Sequence, residues 1–254
     1  MLAAAGLIGA ILVHNSLTGP SGGGIGAVGG GMLAPIPPLP PEKNQWHTLL
    51  EKSPEKIWWT EGLTSFALTH SPDQKSINAS VKGYALLGFG STNHKHYRFE
   101  VELQEPTWTE GAGLFFGYHD DQYFGKPCER FQAIYLSIQN KASSTRARYC
   151  LQRAGMVTQL KLGAIGVRDN SRGPIDRPEA TLIPKISPGV AKFGIEVDEN
   201  GLKDVWWNET HFPELVGPKA NGQFQPMDYA GSFGAYYCQT SAEFKNARVM
   251  YIER

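Results

Sequence analysis

The 254-residue sequence has no surplus of either charge: 24 Lys and Arg balance 24 Asp and Glu, for a formal net charge of zero. Nucleic-acid binding depends on a clustered cationic face that meets the phosphates, so this balance argues against nucleic acid as a partner. Cysteine is scarce and odd in number, at three residues, so no disulfide framework sets the fold. Amphipathic helical periodicity is also missing. From Trp46 onward no window of about a dozen residues repeats its apolar positions every 3.6 residues, which predicts less than about a tenth helix. The charge-free opening Met1–Val13 would reach only about 20 Å as a helix, short of the ~30 Å hydrocarbon core of a bilayer.

What is present is turn chemistry and short strands. The 29 Gly and 17 Pro amount to about 18% of the chain, against a usual ~12%. Met1–Val13 has the length of an export-signal core, but no Lys or Arg precedes it. It reads as a membrane anchor or signal-like segment that holds the rest outside the cytoplasm, in the periplasm or at the cell surface. Residues 14–45 read as a linker, flexible at Gly22–Gly24 and Gly29–Gly31 and stiffened by the run Pro35–Pro41. Within it, Gly24-Ile-Gly-Ala-Val-Gly29 fits the dinucleotide fingerprint and Gly19-Pro-Ser-Gly-Gly23 fits the nucleophile elbow. Both lack the flanking strand and helix that give those motifs meaning, so both are chance matches in glycine-rich sequence.

Residues 46–254 read as one all-β domain. In His96–Leu103 the apolar Tyr97, Phe99, Val101 and Leu103 share one face, and His96, Arg98, Glu100 and Glu102 the other, as a half-buried antiparallel strand requires. Further strands are expected at Ser65–His70, Ser76–Val81, Tyr84–Phe89, Ala112–His119, Phe131–Ile138, Arg146–Arg153, Val157–Leu162, Ala191–Val197, Leu202–Trp207, Gly231–Gln239 and Glu243–Ile252. Asn200-Gly201 predicts a two-residue hairpin turn. Many short strands separated by turns predict a sandwich of two antiparallel sheets.

Three stretches carry a resemblance. Tyr97–Leu103 is followed by the glycine-rich Gly111-Ala-Gly-Leu-Phe-Phe-Gly-Tyr-His-Asp-Asp121. Phe193–Leu202 then leads into Val205-Trp-Trp-Asn208, and Gly231-Ser-Phe-Gly-Ala-Tyr-Tyr237 precedes Glu243-Phe-Lys-Asn-Ala-Arg-Val249. This order resembles concanavalin A-like lectin/glucanase jelly rolls, particularly the 3-keto-disaccharide hydrolase-like domains of planctomycete-type bacteria. The resemblance implies a two-sheet jelly-roll sandwich over residues 58–252 and a carbohydrate-related role. It also implies a place outside the membrane, as in the sensory or structural tails of kinase-type signalling proteins.

The residues that could carry chemistry are few. Glucanases of this fold set three alternating carboxylates on one strand face. Glu196-Val-Asp198 starts such a series but runs into Asn200 and Gly201, and Glu100-Val-Glu102 lacks a third member, so classical glucanase chemistry is disfavoured. His119, Asp120 and Asp121 form the sharpest polar cluster, read as a turn that ends a strand. They are also the one set that could take Ca²⁺ or a transition metal, with His94 and His96 as further ligands; no metal or other cofactor is otherwise expected. Sugar recognition needs flat rings beside hydrogen-bonding groups. The candidates are Trp108, Tyr118, Tyr123, Tyr135 and Trp207, with Arg130 and Asp121 as polar partners. Trp58–Trp59 and Trp206–Trp207 are adjacent strand pairs, so one member of each should be core. Arg146, Arg148 and Arg153 read as a cationic strand edge. Spacing keeps Cys128 and Cys150 too far apart to bridge and leaves Cys238 open. The sequence thus favours a membrane-tethered, non-catalytic carbohydrate or cell-envelope binding module, with two alternatives: a 3-keto-disaccharide hydrolase-like enzyme, or a sensory or structural C-terminal domain of a kinase-type signalling protein. Any ligand is expected on the concave sheet beside Ala112–His119.

Overall fold

The computed structural model describes residues 44–59, 66–104, 111–123, 126–139, 148–159, 167–169, 179–182, 189–216 and 229–252. All of these belong to one compact unit, 34–254. The apolar opening, the glycine and proline runs and Trp108 lie outside the described residues. Among the described residues no helix is long and apolar enough to cross a membrane, and the one helical piece is a 3-10 turn, Pro213–Leu215.

Sixteen strands are described. They are β1 (Trp46–Thr48), β2 (Glu55–Trp59), β3 (Phe66–His70), β4 (Ser76–Val81), β5 (Tyr84–Thr92), β6 (Tyr97–Gln104), β7 (Ala112–Tyr123) and β8 (Lys126–Gln139). The others are β9 (Arg148–Gln159), β10 (Val167–Asp169), β11 (Glu179–Leu182), β12 (Ala191–Asp198), β13 (Gly201–Trp207), β14 (Thr210–His211), β15 (Gly231–Cys238) and β16 (Ser241–Tyr251). Sheet A runs β14-β13-β12-β6-β16-β4-β3 with β1 beside β16; sheet B runs β10-β9-β8-β7-β15-β5-β2 with β11 beside β9. Every described pairing is antiparallel. Strands β4 to β7 alternate between the sheets, while β15 slots between β5 and β7 and β16 between β4 and β6. That wrapping is a jelly roll.

The two-residue period explains the packing. Tyr97, Phe99, Val101 and Leu103 of β6 are all fully buried and meet Ala112, Leu114 and Phe116 of β7 and Ala235 and Tyr237 of β15 in one inter-sheet core. Burying each large side chain is worth about 1.5–3 kcal/mol, so these faces hold the sheets together. Glycine matters at two places in β7. A Cβ on Gly113 would lie 2.1 Å from the Ile134 carbonyl oxygen, so only glycine lets β8 approach. Gly117 has φ 64° where the β7–β8 register slips between Phe116 and His119, a β-bulge that an ordinary side chain would strain.

Several expectations need correction. The turn expected at His119–Asp121 is continuous strand: the bulge absorbs the irregularity and β7 pairs with β8 as far as Tyr123↔Lys126. The expected strand at Val157 is the outer half of a longer β9. The hairpin after β12 turns on Glu199 and Asn200, closed by the pair Asp198↔Gly201. Gly201 takes φ 128°, and the Asp198 carboxylate accepts the Asn200 N–H at 2.7 Å. Strands β1, β10, β11 and β14 were not expected; all are edge or flanking strands of two to four residues, too short to show a period.

Candidate functional site

The outer faces of the two sheets differ in chemistry. On sheet A many outward positions are charged and mutually engaged. Glu196 accepts from His96 Nε2 at 3.1 Å and from Arg98 Nε at 2.6 Å. Arg248 Nε donates to Glu100 at 2.9 Å, Asn246 to Glu102 at 2.8 Å, and His211 and Asp204 pair at 2.8 Å. Burial pushes the Glu196 carboxyl up, but the hydrogen bonds from His96 and Arg98 and the Arg98 charge outweigh it, leaving it below its ordinary range. The carboxylates Glu100, Glu102 and Glu196 thus serve a solvated, ion-paired surface. Asp198 is fully buried and held by Lys203 at 3.2 Å.

Sheet B breaks the usual alternation of apolar inside and polar outside. Its outer face carries Leu86 from β5, Phe115 from β7, Phe131 and Ala133 from β8, Ala154 from β9 and Tyr236 from β15, all buried in a second cluster apart from the inter-sheet core. Tyr84, Tyr118, Tyr135 and Cys238 pack around it and are partly buried. The rings are mutually fixed: Phe115 and Phe131 meet edge to face at 6.1 Å, Tyr118 lies 5.9 Å from Phe131, and Tyr135 lies 5.1 Å from Tyr236. Glu129 and Asp120, directly opposite each other on β8 and β7, add carboxylates at one end. Burial, then the Glu129 charge and its hydrogen bond, push the Tyr118 phenol well above its ordinary value. It therefore stays protonated.

Strand alternation splits the expected cluster His119, Asp120 and Asp121. Asp120 is exposed on the side of Tyr118 and Glu129, whereas His119 and Asp121 share the opposite side with Arg130 and Cys128. His119 Nδ1 is 2.7 Å from the Gly117 carbonyl oxygen, and Asp121 is ion-paired to Arg130. His94 stacks on Tyr251 at 4.8 Å while His96 turns to Glu196, so the two histidines do not converge. Among the described residues no group of three or more His, Cys, Asp or Glu is placed to hold a metal ion. Trp207, a candidate for sugar stacking, is core: it is 2% exposed and packs on Phe193 at 5.4 Å. Its neighbour Trp206 is the half-buried, outward member of the pair. Tyr123 ends β7 opposite Lys126. Of the expected ligand set, Tyr118, Asp120 and Tyr135 share the outer face of sheet B, and Asp121 and Arg130 lie across the sheet from them.

Arg153 is not a surface cation. It is fully buried on the inner face of β9, where its guanidinium donates to the Gln132 side-chain oxygen at 2.8 Å, to the Leu215 carbonyl at 2.8 Å and to the Tyr229 hydroxyl at 3.4 Å. Tyr97 in turn donates to the Tyr229 carbonyl at 3.1 Å. This network ties β8 and β9 to the segments flanking 217–228. None of the three cysteines is in a disulfide; Cys150 stands opposite Ser137 and Cys128 opposite Gln159, far along the same hairpin. Burial, then the Asp121 charge, push the Cys128 thiol up to about 11, which makes it a packing residue rather than a nucleophile. Sequence reading missed Tyr84, Glu129 and Tyr236, and it placed the buried Arg153 on a strand edge. A signal existed for Tyr84 and Tyr236, since the uninterrupted apolar runs of β5 and β15 mark strands buried on both faces.

No family model matches this sequence, and no curated protein matches it. Among solved structures it is similar to a β-porphyranase of the human gut bacterium Bacteroides plebeius, with TM-score 0.39 and 8% identity over 85% of this chain and 96% of that one. It is also similar to a κ-carrageenase of Pseudoalteromonas carrageenovora solved with an oligotetrasaccharide of κ-carrageenan, with TM-score 0.41 and 14% identity over 84% and 97% of the two chains. Both are concanavalin A-like jelly-roll sandwiches, and at this level of similarity neither bears on the site.

Proposed function

We propose that this chain is a carbohydrate or cell-envelope binding module that does not turn its ligand over. The observation that carries this reading is the apolar, ring-lined outer face of sheet B, where a solvated antiparallel sheet would place polar residues. Partly buried Tyr84, Tyr118 and Tyr135 border it. They offer ring faces for pyranose stacking, with Asp120 and Glu129 as hydrogen-bond acceptors for sugar hydroxyls. Binding without turnover is supported by the carboxylates. Glu100, Glu102 and Glu196 are held by Arg248, by Asn246 and by His96 with Arg98, and these partners keep the Glu196 carboxyl below its ordinary range, the reverse of what a glycosidic general acid needs. In this reading Met1–Val13 tethers the module to a membrane and residues 14–45 space it outside the cytoplasm. The test is a glycan array probed with the full chain. Retention of one glycan class, with no released product after prolonged incubation, is the expected result. An empty array overturns the reading, and released reducing ends overturn its non-catalytic part.

A further inference from the structure

The outer face of sheet A holds a second aromatic feature that the sheet B reading does not use. Arg248, Glu100, Gly194, Trp206 and His211 stand in one lateral row across β16, β6, β12, β13 and β14. Gly194 leaves a gap in that row, and the Trp206 indole fills it. A Cβ at Gly194 would lie 2.2 Å from Cζ2, 2.4 Å from Cε2 and 2.9 Å from Nε1 of Trp206, so the ring lies across the strand. One side of the indole lies against the backbone and the His211 ring is 6.4 Å away, yet the residue is only half-buried, so part of the ring faces solvent. At the other end of the row Arg248 lies 4.4 Å from the ring centroid of Trp46, which is 38% exposed. Three strand spacings separate Trp206 from Arg248, which places the two indoles about 15–20 Å apart. Between them Arg248 is neutralised by Glu100, and beyond Trp206 the His211 ring nitrogen lies 2.8 Å from Asp204.

We propose that Trp46 and Trp206 are the two ends of a second saccharide track, running across the strands of sheet A and taking an extended, uncharged, hydroxyl-rich polysaccharide. Each indole supplies a stacking face, and the row between them supplies donors and acceptors already held in place by their ion pair. The neutralised Arg248–Glu100 pair offers an anionic or cationic polymer no net attraction, whereas hydroxyls can bond both of its members. The module would then hold saccharide on both outer faces and link two chains of one polymer, with avidity beyond either site alone.

The test titrates the full chain with cellohexaose and laminarihexaose, following tryptophan fluorescence and heat, for the parent, Trp206→Ala, Trp46→Ala and Tyr135→Ala. The expected result is a fluorescence change on binding one of the two hexasaccharides, weakened about tenfold or more in each tryptophan variant and unaltered in Tyr135→Ala. Melting curves confirm that the variants fold; Trp46→Ala, at an exposed site, serves if Trp206→Ala does not. Affinities within twofold of the parent in folded tryptophan variants overturn the track, as does failure of both hexasaccharides to bind. Loss of binding in Tyr135→Ala alone leaves the sheet B reading standing and removes this one. Loss in the tryptophan variants alone does the reverse.

Discussion

Arg153 shows how much a single buried side chain can hold. Its guanidinium satisfies the Gln132 side chain, the Leu215 carbonyl and the Tyr229 hydroxyl at once, and each buried polar group left unsatisfied costs about 1–3 kcal/mol. Arg153→Met should therefore lower stability by about 2–4 kcal/mol in urea unfolding with an unchanged m-value; a loss under 1 kcal/mol would show that the network relaxes without it. Glu196 gives the pH counterpart. Its folded pKa is lowered, so its contribution is present above the ordinary carboxylate value and is lost as pH falls through the folded one. The melting-temperature advantage of the parent over Glu196→Gln should thus be full at neutral pH and shrink below about pH 4.5. An advantage that grows on acidification would reverse the assignment.

At the scale of strands, two of the glycines that face cross-strand neighbours, Gly113 and Gly194, should behave differently. At Gly113 the obstacle is β8 backbone, the Ile134 carbonyl at 2.1 Å and the Tyr135 Cα at 2.5 Å, which cannot move without parting β7 from β8. At Gly194 it is the outer end of the Trp206 ring, which can swing away. Gly113→Ala should cost about 3 kcal/mol or more, whereas Gly194→Ala should cost about 1 kcal/mol and shift tryptophan emission to the red. Equal costs would mean that the β7–β8 approach is not the tight one. The same contrast explains what could be read from sequence. The alternation in Tyr97–Leu103 and the bounds of β4 were legible because one buried face imposes a strict period. The bulge at Gly117 was not, because one extra residue re-phases every side chain after it, and it turned an apparent His119–Asp121 turn into alternating strand. Trp206 and Trp207 could be told apart only in kind: the pair shows that one is core, and the pairing of β13 with β12 decides which.

For the whole molecule, the unequal outer faces govern the functional account. A sandwich needs one core, and this one buries a second apolar cluster beyond sheet B while neutralising the surface of sheet A pair by pair. That arrangement was not legible in the sequence, because the residues of the second cluster come from five strands between 84 and 238 and meet only through sheet order. The expected linker gives a prediction at this scale: limited proteolysis of the full chain should cut within residues 14–45 and leave a stable fragment beginning near Trp46, whereas protection of Gly22–Gly31 equal to that of the strands would contradict it. The central claim is that the ring-lined face of sheet B takes the saccharide. Calorimetric titration of the full chain with the glycan selected on the array, comparing Tyr135→Ala with the exposed control Lys75→Ala, tests it most directly. The account predicts affinity about tenfold weaker in Tyr135→Ala at a nearly unchanged melting temperature, with Lys75→Ala equal to the parent; equal affinity in all three proteins would contradict it.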